Sequence, residues 1–171
     1  MGRPTPEEYP EYYNQYLHFV KDGDIIAILE EQSVFVQNFI STITEEQGDS
    51  TYGFGKWTIK EIFGHLIDTE RILSYRALRI ARKDKQPMPG YDQDDYVKNS
   101  GYYKRTLKEI ADEMLLLRAA DLKFFRTFNE EDLLQRGIAN DFEFSVRAIL
   151  YILAGHELYH INFIKENYLN N

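Results

Sequence analysis

Apolar residues recur at intervals of three and four along four long stretches of the chain, the period of a helix that buries one face. The first stretch runs from about Asp24 to Ile43, with Ile25, Ile28, Leu29, Gln32, Phe35, Val36, Phe39 and Ile40 recurring at threes and fours. Gly23-Asp24 precedes it, and Asp24 suits the N-cap. The second opens at Thr58-Ile59-Lys60-Glu61, a capping box whose outer residues satisfy the free amide donors of a helix start. It continues to about Arg82, with Ile62, His65, Leu66, Thr69, Ile72 and Leu73 on one face. The third opens at another capping box, Thr106-Leu107-Lys108-Glu109, and reaches about Phe128. Ser145 caps the fourth, which carries Ile149, Ile152, Leu153, His156, His160 and Phe163 on one side. A short helix is expected between Glu11 and Val20.

The connections are uneven. Gly48 to Gly55 reads as loop. Residues 84–102 contain Pro87, Pro89, Gly90 and Gly101, which predicts no regular helix there and leaves a long connection of the kind often found over functional sites. Residues 129–144 read as a polar link with a turn at Arg136-Gly137. No stretch alternates as a strand would. Four amphipathic helices of about 20 residues must bury their stripes against one another, so the expected architecture is an all-α four-helix bundle. A length of 171 residues suits a single domain over 1–171, with its core at about 24–169.

Composition narrows the function classes. The net charge of −8 argues against nucleic acid as a partner, because neutralising phosphates takes clustered Lys and Arg. No apolar run approaches the roughly 20 residues that span a bilayer, and the N-terminus has no basic segment followed by an apolar one. There are no cysteines. That fits a reducing, cytoplasmic setting and leaves metal binding to His, Asp and Glu.

The stretch His156-Glu157-Leu158-Tyr159-His160 has the H-E-x-x-H spacing of zinc proteases. The protease reading fails. Eleven residues follow His160, Phe163 and Glu166 occupy the places of the short-spaced version's glycine and third ligand, and no strand is expected to hold a peptide. A third ligand is available upstream instead. His65 lies on the apolar face of the second helix, and packing that face against the fourth would bring it to His156 and His160. Three neutral imidazoles would leave a position open on a divalent ion such as Zn, Ni or Fe. The alternative is a set of hydrogen-bonded core histidines, since an HxxxH pair arises by chance often enough. His18 reads as unrelated.

Three blocks, GKWTIKEIFGHLIDTERILSYRALRIAR (55–82), PMPGYDQDDYV (87–97) and FSVRAILYILAGHELYHINFIKENYL (144–169), together resemble the DinB-like (YfiT-like) superfamily of metal-binding bundles. The resemblance implies an antiparallel four-helix bundle with a long crossover between helices two and three. It also implies a divalent metal held by one His of helix two and the HxxxH pair of the last helix, which here are His65, His156 and His160. Relatives include metal-dependent hydrolases and enzymes that activate a low-molecular-weight thiol for transfer or isomerisation. Relatives often pair, which adds a homodimer to the expectations.

Around that triad, Glu157 is a candidate general base, or else a salt-bridge partner of Arg76, Arg79 or Arg147. Asp68 and Glu61 lie one turn either side of His65, and Asp68 is the better candidate to orient an imidazole or fill a fourth metal position. Arg71, Arg76, Arg79, Arg82 and Lys83 crowd the end of the second helix. They complement the helix dipole, pair with Asp92–Asp95, or receive an anionic substrate. The Tyr-rich stretches cover the bundle's flanks or form a dimer surface. Two functional classes follow: a metal-dependent hydrolase or thiol transferase acting on a small molecule, and a non-catalytic metal-binding or stress-related interaction bundle. A di-iron oxidase fits less well, because neither His65 nor His160 has a Glu three positions before it.

Overall fold

A computed structural model describes residues 2–169. Both capping boxes start helices where the sequence places them: Thr58 and Thr106 accept from the amides of Glu61 and Glu109, and each glutamate bonds back. In chain order the helices are α1 (Asn14–Leu17), α2 (Ile25–Ser41), α3 (Glu45–Gly48), α4 (Ile59–Ala81), α5 (Gln93–Ser100), α6 (Leu107–Phe125), α7 (Glu130–Leu134) and α8 (Val146–Ile164). Short 3₁₀ turns at Pro6–Glu8 and Glu11–Tyr13 precede α1. The long helices α2, α4, α6 and α8 form a four-helix bundle.

Pairings along the helices fix their directions. Glu70 meets Arg118 and Ser74 meets Asp121, so α4 and α6 run the same way. Gln37 meets Ala111 and Glu30 meets Arg126, so α2 and α6 are antiparallel. Tyr151 reaches Gly23 and Glu157 reaches Gln32, which sets α8 parallel to α2. The resulting order is up, down, down, up. Only the long crossover of residues 82–106 lets α6 repeat the direction of α4.

Two expectations about the connections are corrected. Residues 84–102 contain a regular helix, α5, because the prolines stop at Pro89 and the glycine at 101 lies at its far end. Asp92 caps its start by accepting from Asp95, and Gly101 ends it at φ 72°. The link at 129–144 contains strands: β1 (Arg136–Ala139) pairs antiparallel with β2 (Phe142–Ser145). The turn falls at Asn140-Asp141, both at positive φ, and not at Arg136-Gly137. Main-chain bonds from Met88 to Ile138 and from Asn140 to Met88 tie the crossover to this hairpin.

Two apolar clusters fill the bundle, one around Leu29, Ile80, Phe125 and Ile149, the other around Ile40, Phe63, Ile110 and Ile161. Between them lies a buried ionic knot that touches all four long helices. Arg118 bonds both oxygens of Glu70 at 2.6 and 3.1 Å and Glu157 at 2.8 Å, and Gln32 bonds Glu157 and the Ala154 carbonyl. Among the described residues, no helix is long and apolar enough to cross a membrane.

Candidate metal centre

The face of α4 that carries Ile62 and Leu66 packs on α8, and it carries His65 inward with them. The α8 histidines lie one turn apart on the facing side, so all three imidazoles meet in the interior. His65 is 2% exposed and His156 8%. Two glycines let other segments pack closely on the helices beside the triad. A Cβ on Gly155 would stand 2.4 Å from the carbonyl oxygen of Tyr16, and one on Gly64 would stand 2.1 Å from the Tyr102 ring. Each glycine immediately precedes a triad histidine. A glycine inside a helix costs about 1 kcal/mol relative to alanine, so Gly-His within a predicted helix was a readable sign of close packing.

The ε nitrogens converge. His156 Nε2 lies 3.2 Å from His65 Nε2 and 3.1 Å from His160 Nε2. The ring planes cross at 66°, 69° and 73°. An imidazole nitrogen has one in-plane position, occupied by a proton or a lone pair. His156 Nε2 can therefore satisfy one neighbour by an N–H···N bond, and the other contact is left unmatched. A cation accepting three lone pairs satisfies both contacts at once. The separations also lie near the ~3.3 Å edge of a tetrahedron built on metal–nitrogen bonds of about 2.0–2.1 Å.

The electrostatics agree with that donor role. Burial lowers His65 to about 4 and His160 to about 3, and drives His156 well down with help from its two neighbours. Near neutral pH all three rings are thus uncharged and carry lone pairs. The three histidines form a donor group whose nitrogens all lie within 4.8 Å of one another, and it includes no carboxylate.

The structure does not bring Asp68 or Glu157 into this group. Asp68 accepts from Tyr102 Oη at 3.2 Å and lies 4.0 Å from Arg71. Glu61 stays in its capping box. Glu157 faces α2 and α6, with one oxygen on Gln32 and the other on Arg118. Its partner is Arg118, and not Arg76, Arg79 or Arg147 as the sequence suggested; about 100° of helix rotation turns it from the α4 side to the knot. The outer nitrogen of His160, Nδ1, is buried without a partner among the described residues, so ring packing sets its orientation. Tyr159 supplies part of that packing at 5.2 Å, and Trp57 stands 5.1 Å from His65. His18 is far out on the N-terminal segment, exposed, with Nδ1 near the Asn14 carbonyl.

Two cavities open onto the triad. One, of about 520 Å³, reaches His160 and is walled by Tyr52, Trp57, Phe163 and Tyr168. The other, of about 350 Å³, reaches His156 between Tyr13, Tyr16, Tyr91 and Leu73. The N-terminal tyrosines thus build a cavity wall as well as covering a flank.

A four-helix bundle with three inward histidines on its second and last long helices defines a class of small bundle proteins with a candidate metal centre. Residues 29–164 match the DinB superfamily, and the chain belongs to it. Among solved structures it is similar to YfiT from Bacillus subtilis, described as a probable metal-dependent hydrolase with an unusual four-helix bundle topology. The two superpose with a TM-score of 0.72 at 17% identity, over 96% of this chain and 90% of that one. No curated protein sequence matches the chain.

Proposed function

We propose that the protein is a metal-dependent enzyme of the DinB superfamily. In this reading His65, His156 and His160 hold one divalent cation, Zn, Ni or Fe, and a small molecule reacts beside it. The observation that carries the reading is the convergence of three uncharged ε nitrogens, two on buried histidines and one on half-buried His160, that cannot all hydrogen-bond one another. A bound cation of this kind acidifies water or a thiol, which supplies a nucleophile for hydrolysis or for thiol transfer.

The chain's own residues supply position and shelter. The two α8 histidines are held one turn apart by a helix capped at Ser145, and His65 is held by α4 from across the groove. Tyr16, Trp57 and Tyr159 ring the imidazoles and limit the water that reaches them. Glu157 is engaged in the knot, so a proton acceptor during turnover must come from elsewhere; Tyr16 and Tyr91 line the smaller cavity, where burial raises both phenols and keeps them protonated.

The description of YfiT favours hydrolysis over thiol transfer as the first activity to test. A non-catalytic bundle is the competing reading, and a cation closed off by four protein ligands would be its signature. The absence of a carboxylate from the donor group, among the described residues, disfavours it. Elemental analysis of the purified protein beside a His156→Ala, His160→Ala double variant tests the site. About one equivalent of metal in the wild type and none in the variant is expected, and equal metal in both would end the proposal. A screen of ester, amide and thiol-transfer substrates then separates the two chemistries.

A further inference from the structure

Five cations crowd the second half of α4 and the residues after it, and the structure sorts them. Arg71 pairs with Glu113, Arg79 with Asp84 and Lys83 with Glu131, each at 2.7 Å or less. Arg82 stands in solvent. Neither Asp92 nor Asp95 forms a salt bridge with any of them; Asp92 caps α5.

Arg76 differs on both counts. It is 7% exposed, yet no carboxylate of the described residues lies within salt-bridge distance. One hydrogen bond, from Nη2 to the Pro89 carbonyl oxygen at 2.9 Å, holds it. A guanidinium has five N–H donors and stays charged in proteins. Burial pulls Arg76 down from its usual value without a compensating acid. A buried charge of this kind is costly unless something pairs with it.

The guanidinium lines the 350 Å³ cavity that reaches His156. Thr69, Leu73 and Arg76 form its α4 wall, Ile152 and His156 its α8 wall, each at spacings that share a helix face. Arg76 follows His65 by three turns, about 16 Å along the helix axis. The rest of the lining is mostly tyrosine, amide and aliphatic, and no Asp or Glu among the described residues lines it, in a chain of net charge −8.

We propose that this cavity binds a small organic acid, with its oxyanion on the Arg76 fork, its body between the tyrosine rings, and its far end at the histidine triad. The reaction at that far end rests on the metal reading above; the acid-binding end does not. A planar fork with free donors suits a carboxylate or a phosphate, each able to take two parallel hydrogen bonds.

The test is calorimetric titration of the full chain with 3-phenylpropionate and phenyl phosphate, and with 3-phenylpropionamide as the uncharged control. It is run on zinc-loaded and on chelator-stripped protein. At least one acid should bind and the amide should not, and the preference between the acids identifies the oxyanion. Binding should persist after stripping. Arg76→Gln should weaken it at least ~10-fold, as expected for a lost charge-assisted pair, and Arg76→Lys should fall between. The thermal midpoint of Arg76→Gln should be unchanged or higher, with unchanged metal content, because no acidic partner is stranded.

Three results would overturn the proposal. The acids could bind no better than the amide, or Arg76→Gln could bind them as the wild type does, which puts the anion on the metal. Arg76→Gln could also unfold at markedly lower temperature, which makes the guanidinium structural. Metal binding without acid binding fails this proposal alone. Arg76-dependent acid binding by a protein that takes up no metal fails only the metal reading.

Discussion

Arg118 is the counter-charge at the centre of the bundle, and removing it tests the reading of the ionic knot. Its guanidinium is 2% exposed and bonds Glu70 twice and Glu157 once, both of them buried. Arg118→Leu removes the charge, keeps apolar bulk and leaves two carboxylates facing each other. Stranding a buried partner in this way costs about 3–5 kcal/mol. At about 2–4 °C per kcal/mol for a domain of this size, the thermal midpoint should fall by roughly 6–20 °C.

The pH dependence carries the sharper signature. Burial already raises the Glu157 carboxyl above its usual 4.5, and Arg118 is the strongest influence holding it down. Without Arg118 the carboxyl rises further. A group whose pKa is higher folded than unfolded stabilises the fold below the unfolded value, and that contribution is lost as pH rises through the folded value. Melting followed by circular dichroism at pH 5, 7 and 8.5 should therefore show the variant's deficit widening with pH. Adding Glu70→Gln and Glu157→Gln should restore most of the loss. A deficit below about 1 kcal/mol, or one of equal size at pH 5 and 8.5, would refute the assignment of Arg118 as the charge that holds the four helices together.

Metal removal should lower the wild-type midpoint. With metal at 100 times its dissociation constant, linkage contributes about 2.7 kcal/mol, or roughly 5–11 °C; His65→Ala should show no response to chelator in the same melt. Gly155→Ala should destabilise by about 1–3 kcal/mol through overpacking, since the new methyl meets main chain at Tyr16, whereas Gly53→Ala, with its nearest contact at 3.7 Å, should melt as the wild type does. Glu8 gives a second pH test. Burial acts to raise its carboxyl, but hydrogen bonds from Arg147, Ser145 and Thr5 outweigh it and hold it at about 2. That contribution is present above 4.5 and is lost as pH falls toward 2, so Glu8→Gln should melt lower at pH 7 and flatten the acid limb of midpoint against pH. An unchanged acid limb would mean that the Glu8–Arg147 contact is not populated in solution.

Helix starts were legible because they are local. Thr58 with Glu61, Thr106 with Glu109, and Ser145 alone satisfy nearby amides, and the capping chemistry needs only three or four consecutive residues. Apolar periodicity likewise fixed which faces of the helices turn inward, and so it placed His65, His156 and His160 on the same side of the problem. Residues 84–102 and 129–144 were misread for a related reason. Pro and Gly near their ends overshadowed the breaker-free run from Gln93 to Ser100, and four-residue strands are too short to show alternation.

Contacts between distant segments were decided only by the fold. Nothing local to Glu157 says that its partner is Arg118, 39 residues earlier on another helix; rotation about α8 and the packing order of the bundle decide that. Five clustered cations on and just after α4 look alike in sequence, yet packing gives Arg71 an acid on α6 and Lys83 one on α7, Arg79 pairs with Asp84 at the start of the crossover, and Arg76 is enclosed without one. Backbone chemistry and hydrophobic period act over a few residues, so the chain specifies them by itself. Charge pairing, cavity shape and the meeting of three imidazole nitrogens depend on which surfaces are brought together, and that is a property of the folded molecule.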